Sequence, residues 1–113
     1  MNAYEQKVMS ALPSRVRQIV IEEAQRHDVP IHLIFSRRKR SDVIMARWAA
    51  MYRTKAGNPS LSAPQIGDIF DRDHTTVLSG LARYSAITGN PPLTSYDISK
   101  RVTNPALYKG MQL

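Results

Sequence analysis

Residues 70–78 read FDRDHTTVL, and Asp71, Arg72, Asp73 and His74 fill four consecutive positions with side chains that ligate, titrate or hydrogen-bond. Three chemistries compete for such a run. Two carboxylates and an imidazole form an oxygen and nitrogen donor set for a metal ion, and hence for a metal-dependent nuclease. Neighbouring residues on a turn and a helix start do not converge on one point, however. His27 and His32 stand alone, with no second ligand cluster beside them. A serine nucleophile would need an elbow of the G-x-S-x-G kind and an NTPase would need a P-loop, and neither pattern occurs. No catalytic residue, metal or cofactor is therefore expected, and no small-molecule substrate. The third chemistry is recognition. At a helix N-terminus the free amides and the dipole favour a phosphate. Asp73 can accept a hydrogen bond from a cytosine amino group. The methyls of Thr75 and Thr76 can meet a thymine methyl, and their hydroxyls a base edge or phosphate; His74 can do either job. The plainer account is that Asp73 and Thr76 only cap a helix. For Asp73 both hold, since a capping carboxylate keeps a second oxygen.

The elements around this run must present it. Ser62 and Gln65 have capping-box spacing, and Pro64 is tolerated in a first helical turn. Ile66, Ile69 and Phe70 supply an apolar face. Gly67 in mid-helix costs about 1 kcal/mol against alanine, which a close helix approach would explain. Phe70 to Asp73 reads as a short turn, with Asp73 capping the next helix through the amide of Thr76. Val77, Leu78, Leu81 and Tyr84 carry a helical stripe to about Ser85. Two helices joined by a tight turn, the second opening on polar residues, have the shape of a helix-turn-helix.

Further upstream, residues 2–11 form a short, weak helix that Pro13 ends. Val16, Ile19, Val20 and Ala24 fall at helical spacing over 14–27, with Glu22 and Glu23 mostly off that stripe. Asp28-Val29-Pro30 stops this helix. Ile31 to Phe35 reads as a helical turn on the core, although a buried strand would look similar. The run Arg37-Arg38-Lys39-Arg40 has no apolar period and reads as a loop. Ser41 or Asp42 caps a helix over 43–53, in which Ile44, Trp48, Met51 and Tyr52 share a face and Arg47 points outward. Gly57-Asn58-Pro59-Ser60 marks a loop. After Gly89-Asn90-Pro91-Pro92 only a short helix over 95–102 is expected, in a partly ordered tail. The expected fold is all-α: an N-terminal helix or arm at 1–13, a helix-turn-helix domain at 14–87 and a tail at 88–113.

Composition narrows the partner. The 113 residues suit one domain, and 42% hydrophobic content suits a modest core. There is no cysteine, so disulfides, thiolate metal sites and cysteine nucleophiles are excluded. That fits a cytoplasmic location, as does a Met1–Leu12 segment without the pattern of a signal peptide. The net charge is +7 and is unevenly spread. Residues 1–30 carry four basic and four acidic side chains, residues 31–55 seven and one, and residues 56–113 five and four. Nearly all the excess thus lies around Arg37–Arg40. A cationic stretch of this kind is the footprint of a polyanion partner such as nucleic acid. A solvated charge run is the simpler alternative. A membrane surface is not expected, because no strongly apolar face accompanies the run.

The stretch SAPQIGDIFDRDHTTVLSGL closely resembles the signature of the C-terminal DNA-binding domain, domain IV, of the bacterial replication initiator DnaA. That signature runs approximately L-P-x-I-G-x-x-F-(G)-x-R-D-H-[ST]-T-V. Pro64, Ile66, Gly67, Phe70, Arg72, Asp73, His74, Thr75, Thr76 and Val77 match it. More loosely, IFSRRKRSDVIMARWAAM is similar to the family's basic loop and following helix through Ser36, Val43, Arg47 and Met51. The resemblance covers roughly residues 18–85. It implies a helix-turn-helix bound to double-stranded DNA at DnaA boxes, consensus TTATNCACA. By resemblance, Pro64, Asp73, His74, Thr75 and Thr76 read bases in the major groove. One of Arg37, Arg38, Lys39 or Arg40 enters the minor groove, without a choice among them. Arg47 matches a phosphate-contacting arginine, and Arg72 joins the backbone-contacting set. Ala46 departs from the family's usual proline, Trp48 from glutamine, Ala63 from leucine and Ser79 from histidine, while the Asp-His-Thr-Thr run is intact.

The initiator carries an ATPase module that these residues do not contain. The expectation is a stand-alone binder of DnaA-box-like sites that regulates transcription or replication initiation and competes with the initiator at its boxes. The alternative is a helix-turn-helix turned protein-interaction module, with non-specific DNA binding.

Overall fold

In the computed structural model, residues 3–96 are described, and six helices account for most of them: α1 (Ala3–Ala11), α2 (Ser14–Arg26), α3 (Ile31–Ile34), α4 (Ser41–Gly57), α5 (Ala63–Phe70) and α6 (His74–Thr88). No strand occurs among the described residues, so Ile31–Ile34 resolves to the helical turn. The fold is all-helical. Most of the helix expected over 95–102, and the tail beyond Tyr96, lie outside the described residues.

Local chemistry explains the boundaries. Pro13 precedes α2 with an extended backbone. At its other end Asp28 adopts a left-handed φ of 53°, which lets Asp28 N–H reach Gln25 O and Val29 N–H reach Ala24 O. This is a Schellman-type stop, with an aspartate where glycine is usual and Val29 buried beneath it. At the start of α4 the expected cap differs. Arg40 is the N-cap and Ser41 is already helical, so neither Ser41 nor Asp42 caps from outside. Asp42 acts from within the first turn, accepting Val43 N–H at 2.8 Å and Arg40 Nε at 2.7 Å.

α4 is also longer and more deeply buried than one apolar face requires. Val43, Met45, Ala46, Ala49, Ala50, Met51 and Tyr52 are all buried, so the helix runs through the middle of the domain. It packs on α2, α3, α5 and α6. Ala46, Ala49 and Ala50 let neighbouring helices come close. Its end moves to Gly57 because Thr54 bonds back to Ala50 O, while Lys55 Nζ holds Pro59 O and Leu61 O across the following turn.

α5 begins with the full capping box: Gln65 N–H donates to Ser62 Oγ at 3.2 Å, and Ser62 N–H to Gln65 Oε1 at 2.8 Å. It ends at Asp71, left-handed at φ 55°. A Cβ on Gly67 would stand 2.2 Å from the Arg72 carbonyl oxygen. The close neighbour that demands glycine is thus the turn's own backbone rather than another helix. Phe35 and Phe70 stack under this turn at 5.8 Å. α6 runs to Thr88, past the expected Ser85, and stops at Gly89 with φ 77°. Tyr52 O–H then donates to Pro91 O at 2.6 Å, and Leu93 lies against the core.

Candidate nucleic-acid interface

Asp73, His74, Thr75 and Thr76 are all exposed, and Val77 behind them is fully buried. The first turn of α6 therefore points its polar residues at solvent while Val77 anchors it. Asp73 is the N-cap, but its Oδ2 takes the Thr75 amide at 3.2 Å and not that of Thr76. The Thr75 hydroxyl donates to the same carboxylate. These bonds, with that hydroxyl first, hold the Asp73 carboxyl below its ordinary pKa, so it is an anion at neutral pH. His74 Nδ1 lies 3.5 Å from Asp73 Oδ1. The arrangement leaves one carboxylate, two threonine methyls, one free hydroxyl and an imidazole on the exposed start of a helix.

Arg37, Arg38, Lys39 and Arg40 are exposed on the loop between α3 and α4. Arg40 is engaged with Asp42, and Arg37 Nη2 lies 3.8 Å from Asp71 Oδ2 in the turn before the reader helix. That exposed pair contributes little energy but shows how near the loop comes to the turn.

Arg47 corrects the outward expectation. It is only 6% exposed. Its Nε donates to Ile34 O at 2.8 Å, and its Nη2 faces the carbonyls of Leu33, Ser36 and Arg38 at 2.9, 2.8 and 3.2 Å. A guanidinium held this way braces the loop backbone through Nε and Nη2, and Arg47 also lines the cleft between the loop, α4 and α6. Arg72, half-buried, does similar work from the other side: it donates to Ser36 O, and to Asp71 O at 2.9 Å. Burial, followed by the charges of Arg72 and Arg37, brings the Arg47 pKa down to about 10, which still leaves it cationic at neutral pH. Burial and then Arg37 lower that of Arg72 as well.

Between the loop, α4 and α6 lies a cleft of about 530 Å³. Arg37 and Lys39 line it from the loop, and Thr75 and Thr76 from the reader helix, with Trp48 and Met51 from α4. Of the expected site residues the structure thus brings together Arg37, Lys39, Thr75 and Thr76, with Arg47 and Arg72 also on the lining. Pro64 is exposed in the first turn of α5, Asp73 and His74 at the start of α6, and Arg38 and Arg40 on the loop; none of these five lines the cleft. Two polar lining residues, Ser79 and Arg83, were not among the expected site residues. Their signal was the spacing Thr76, Ser79, Arg83, three and then four residues apart on α6, hidden by attention to the apolar stripe beside it. Among the described residues no group of three or more His, Asp or Glu is placed to hold a metal ion. No described helix is long and apolar enough to cross a membrane.

Residues 13–83 match the family model described as bacterial dnaA protein helix-turn-helix. Relatives include the chromosomal replication initiator protein DnaA of Oenococcus oeni, 30% identical over 105 residues, covering 92% of this chain and 21% of the relative. The protein of the same name from Herminiimonas arsenicoxydans is 30% identical over 88 residues, covering 73% and 19%. That from Mesorhizobium japonicum is 37% identical over 84 residues, covering 69% and 16%. The chain thus spans about a fifth of the length of the curated relatives it matches. No solved structure matches. An all-helical domain that opens its second motif helix on Asp73-His74-Thr75-Thr76 and matches that model over most of its length is a member of the bacterial DnaA helix-turn-helix family, a DNA-binding family.

Proposed function

We propose that the chain binds double-stranded DNA sequence-specifically at DnaA-box-like sites, and so regulates transcription or replication initiation by occupying sites for which the initiator competes. One observation carries this reading: Thr75 and Thr76 of the exposed Asp73-His74-Thr75-Thr76 run line the same cleft as Arg37 and Lys39 of the basic loop. A helix that enters the major groove by its N-terminus reads base edges there. Asp73 accepts from a cytosine amino group. Thr75 spends its hydroxyl on Asp73 in the free protein, so its methyl is the group offered to thymine. Thr76 and His74 complete the reader, with Pro64 at its margin. Arg37, Arg38, Lys39 and Arg40 supply the minor-groove and backbone contacts, which suit the narrow groove of A·T-rich sequence.

The test is a fluorescence-anisotropy titration of a duplex carrying TTATNCACA against one of shuffled order, at two salt concentrations. The expected result is a preference of at least tenfold, about 1.4 kcal/mol. If four or five cations meet phosphates, log affinity falls against log salt with a slope of about −4. Replacing Asp73 or Thr75 is expected to remove about 1–3 kcal/mol of discrimination at the base pair that each side chain reads. Equal affinity for the two duplexes would overturn the sequence-specific reading.

A further inference from the structure

The cleft between the basic loop, α4 and α6 has an apolar floor that a phosphate backbone does not use. Ile44 and Trp48, four residues apart on one face of α4, both line it. Trp48 is among this chain's departures from the family pattern, standing where glutamine is usual. Its side chain keeps a small exposed edge, the residue being 8% exposed. The five-membered part of the indole lies against Gly80 of α6, where a Cβ would stand 2.8 Å from Cδ1 and 2.9 Å from Nε1. Glycine at position 80 thus keeps α6 from covering that edge. A branched aliphatic side chain beside an indole edge attracts a flat apolar group.

The walls carry the opposite chemistry. Arg37, Lys39, Arg47, Arg72 and Arg83 line the cleft, and no acidic residue does. Arg47 and Arg72 spend donors on backbone carbonyls, and Arg37 has Asp71 3.8 Å away. Arg83 lacks such a tie: it is half-buried, and its Nε is shut off from solvent without a hydrogen-bond partner. Like charges crowded on one concavity repel one another, so a ligand with several negative charges is favoured over a single carboxylate. Guanidinium groups pair with phosphate in bidentate fashion. The cleft holds about 530 Å³, inside the range of about 300–1,000 Å³ of small-molecule sites.

A flat ring for the floor and linked phosphates for the walls describe one class of molecule. We propose that the cleft is an effector site for a nucleoside polyphosphate, with its base against Ile44 and Trp48 and its phosphates held by Arg83 from α6 and by Arg37 and Lys39 from the loop. Thr75 and Thr76 line the same cleft, so the occupied site and the DNA-bound reader exclude each other. That exclusion rests on the DNA-binding reading above; the ligand site itself does not. The ligand is an effector and not a substrate, since the P-loop pattern of an NTPase is absent from the sequence.

The experiment titrates the protein with ATP, inorganic tripolyphosphate and adenosine in magnesium-free buffer at fixed ionic strength, reading heat and Trp48 emission. ATP is expected to bind saturably, to change the emission and to bind at least about fivefold more tightly than tripolyphosphate, the contribution of a ring on the floor. Adenosine, without the anion, is expected to bind at least about tenfold more weakly than ATP. Ile44→Ala is expected to narrow the gap between ATP and tripolyphosphate, and Arg83→Gln to weaken both, with circular dichroism reporting the fold of each variant. The wild-type comparison decides the matter even where a variant does not fold. ATP and tripolyphosphate bound alike, or ATP bound without a change in Trp48 emission, would overturn the site. A second series adds ATP to the complex with the box duplex and is expected to displace DNA more than tripolyphosphate does at equal concentration. ATP bound as expected without displacing the duplex would overturn the exclusion. Because the first series contains no DNA, a wild type that binds ATP as expected but shows no box preference loses sequence-specific recognition and keeps the effector site.

Discussion

Arg47 and Arg72 converge on one oxygen: both guanidinium groups donate to the carbonyl of Ser36. Arg47 comes from the central helix and Arg72 from the turn of the helix-turn-helix. The basic loop is therefore tied by its backbone to the element that presents the reader, while the side chains of Arg37, Arg38 and Lys39 stay outside. Fixing the loop's backbone before binding removes part of the ordering cost from the binding step.

Replacing Arg47 separates bracing from phosphate contact. Arg47→Gln leaves carbonyls of Leu33, Ile34 and Arg38 without their charged donor, and hydrogen bonds to charged groups contribute about 1.5–3 kcal/mol each. The expected outcome is a loss of at least about 3 kcal/mol by thermal or denaturant unfolding. Affinity for box DNA falls with it, but the salt slope of the folded variant matches wild type. A slope shallower by about 0.9 would show that Arg47 contacts a phosphate besides bracing the loop.

The motif half of the fold was legible because its signals are local. Ser62 with Gln65, Gly67 in mid-helix and Asp73 before Thr75 each act over a few residues, and each was found at its place. Even there the partner could shift by one, as when Asp73 took Thr75 N–H in place of Thr76 N–H. The central helix was less legible because its burial is set by four neighbours at once. An arginine at position 47 looks like surface in one dimension. Only the position of the loop carbonyls, thirteen and fourteen residues upstream in the case of Ile34 and Leu33, turns it inward. Glu23 is the same kind of case: it read as a polar-face residue, yet it is fully buried and held by Arg53 Nη1 at 2.9 Å, thirty residues away. Arg83 was missed for the opposite reason, having no hydrogen-bond or ion-pair partner among the described residues to reveal it.

Gly67→Ala tests the turn. The added Cβ would meet the Arg72 carbonyl at 2.2 Å, and that atom is backbone, which cannot rotate away as a side chain does. Relief requires moving the turn that sets Asp73 and Arg72. The expected cost is about 3 kcal/mol or more, above the gain in helix propensity of about 1 kcal/mol. Melting would show it, and box preference would drop together with stability. A variant as stable as wild type would mean that the turn sits farther from α5 than described.

Stability should also depend on pH through His27. Its side chain is 9% exposed, and its Nε2 faces Glu23 Oε1 at 3.5 Å. Burial dominates and holds its pKa below the ordinary 6.5, with Arg26 adding to the effect and Glu23 and Asp42 opposing it. The unfolded chain therefore takes up this proton at a higher pH than the folded chain. The contribution is fully present above about pH 6.5 and is lost as pH falls from there through the folded pKa. Melting temperature is expected to decline over that window in wild type and to decline less in His27→Gln. Parallel curves would assign the acid limb to other groups.

Trp48 offers a direct view of the cleft, because it is the chain's single tryptophan and its indole lines that cleft beside α6. A strand seated there changes the polarity and the charge around the ring. Duplex titration is expected to shift or quench the tryptophan emission, saturating at the same stoichiometry as the anisotropy. Gly80→Ala provides the control from the protein side. Its Cβ would lie 2.8 Å from Trp48 Cδ1 and 3.0 Å from Met51 Cε, both side-chain atoms that can turn away. The expected result is a stability loss of about 1–3 kcal/mol, smaller than that for Gly67→Ala, with an altered emission spectrum before any DNA is added. An emission unchanged in wild type at saturating duplex would mean that the strand passes outside the cleft, and that the cations of the loop grip it at their exposed ends alone.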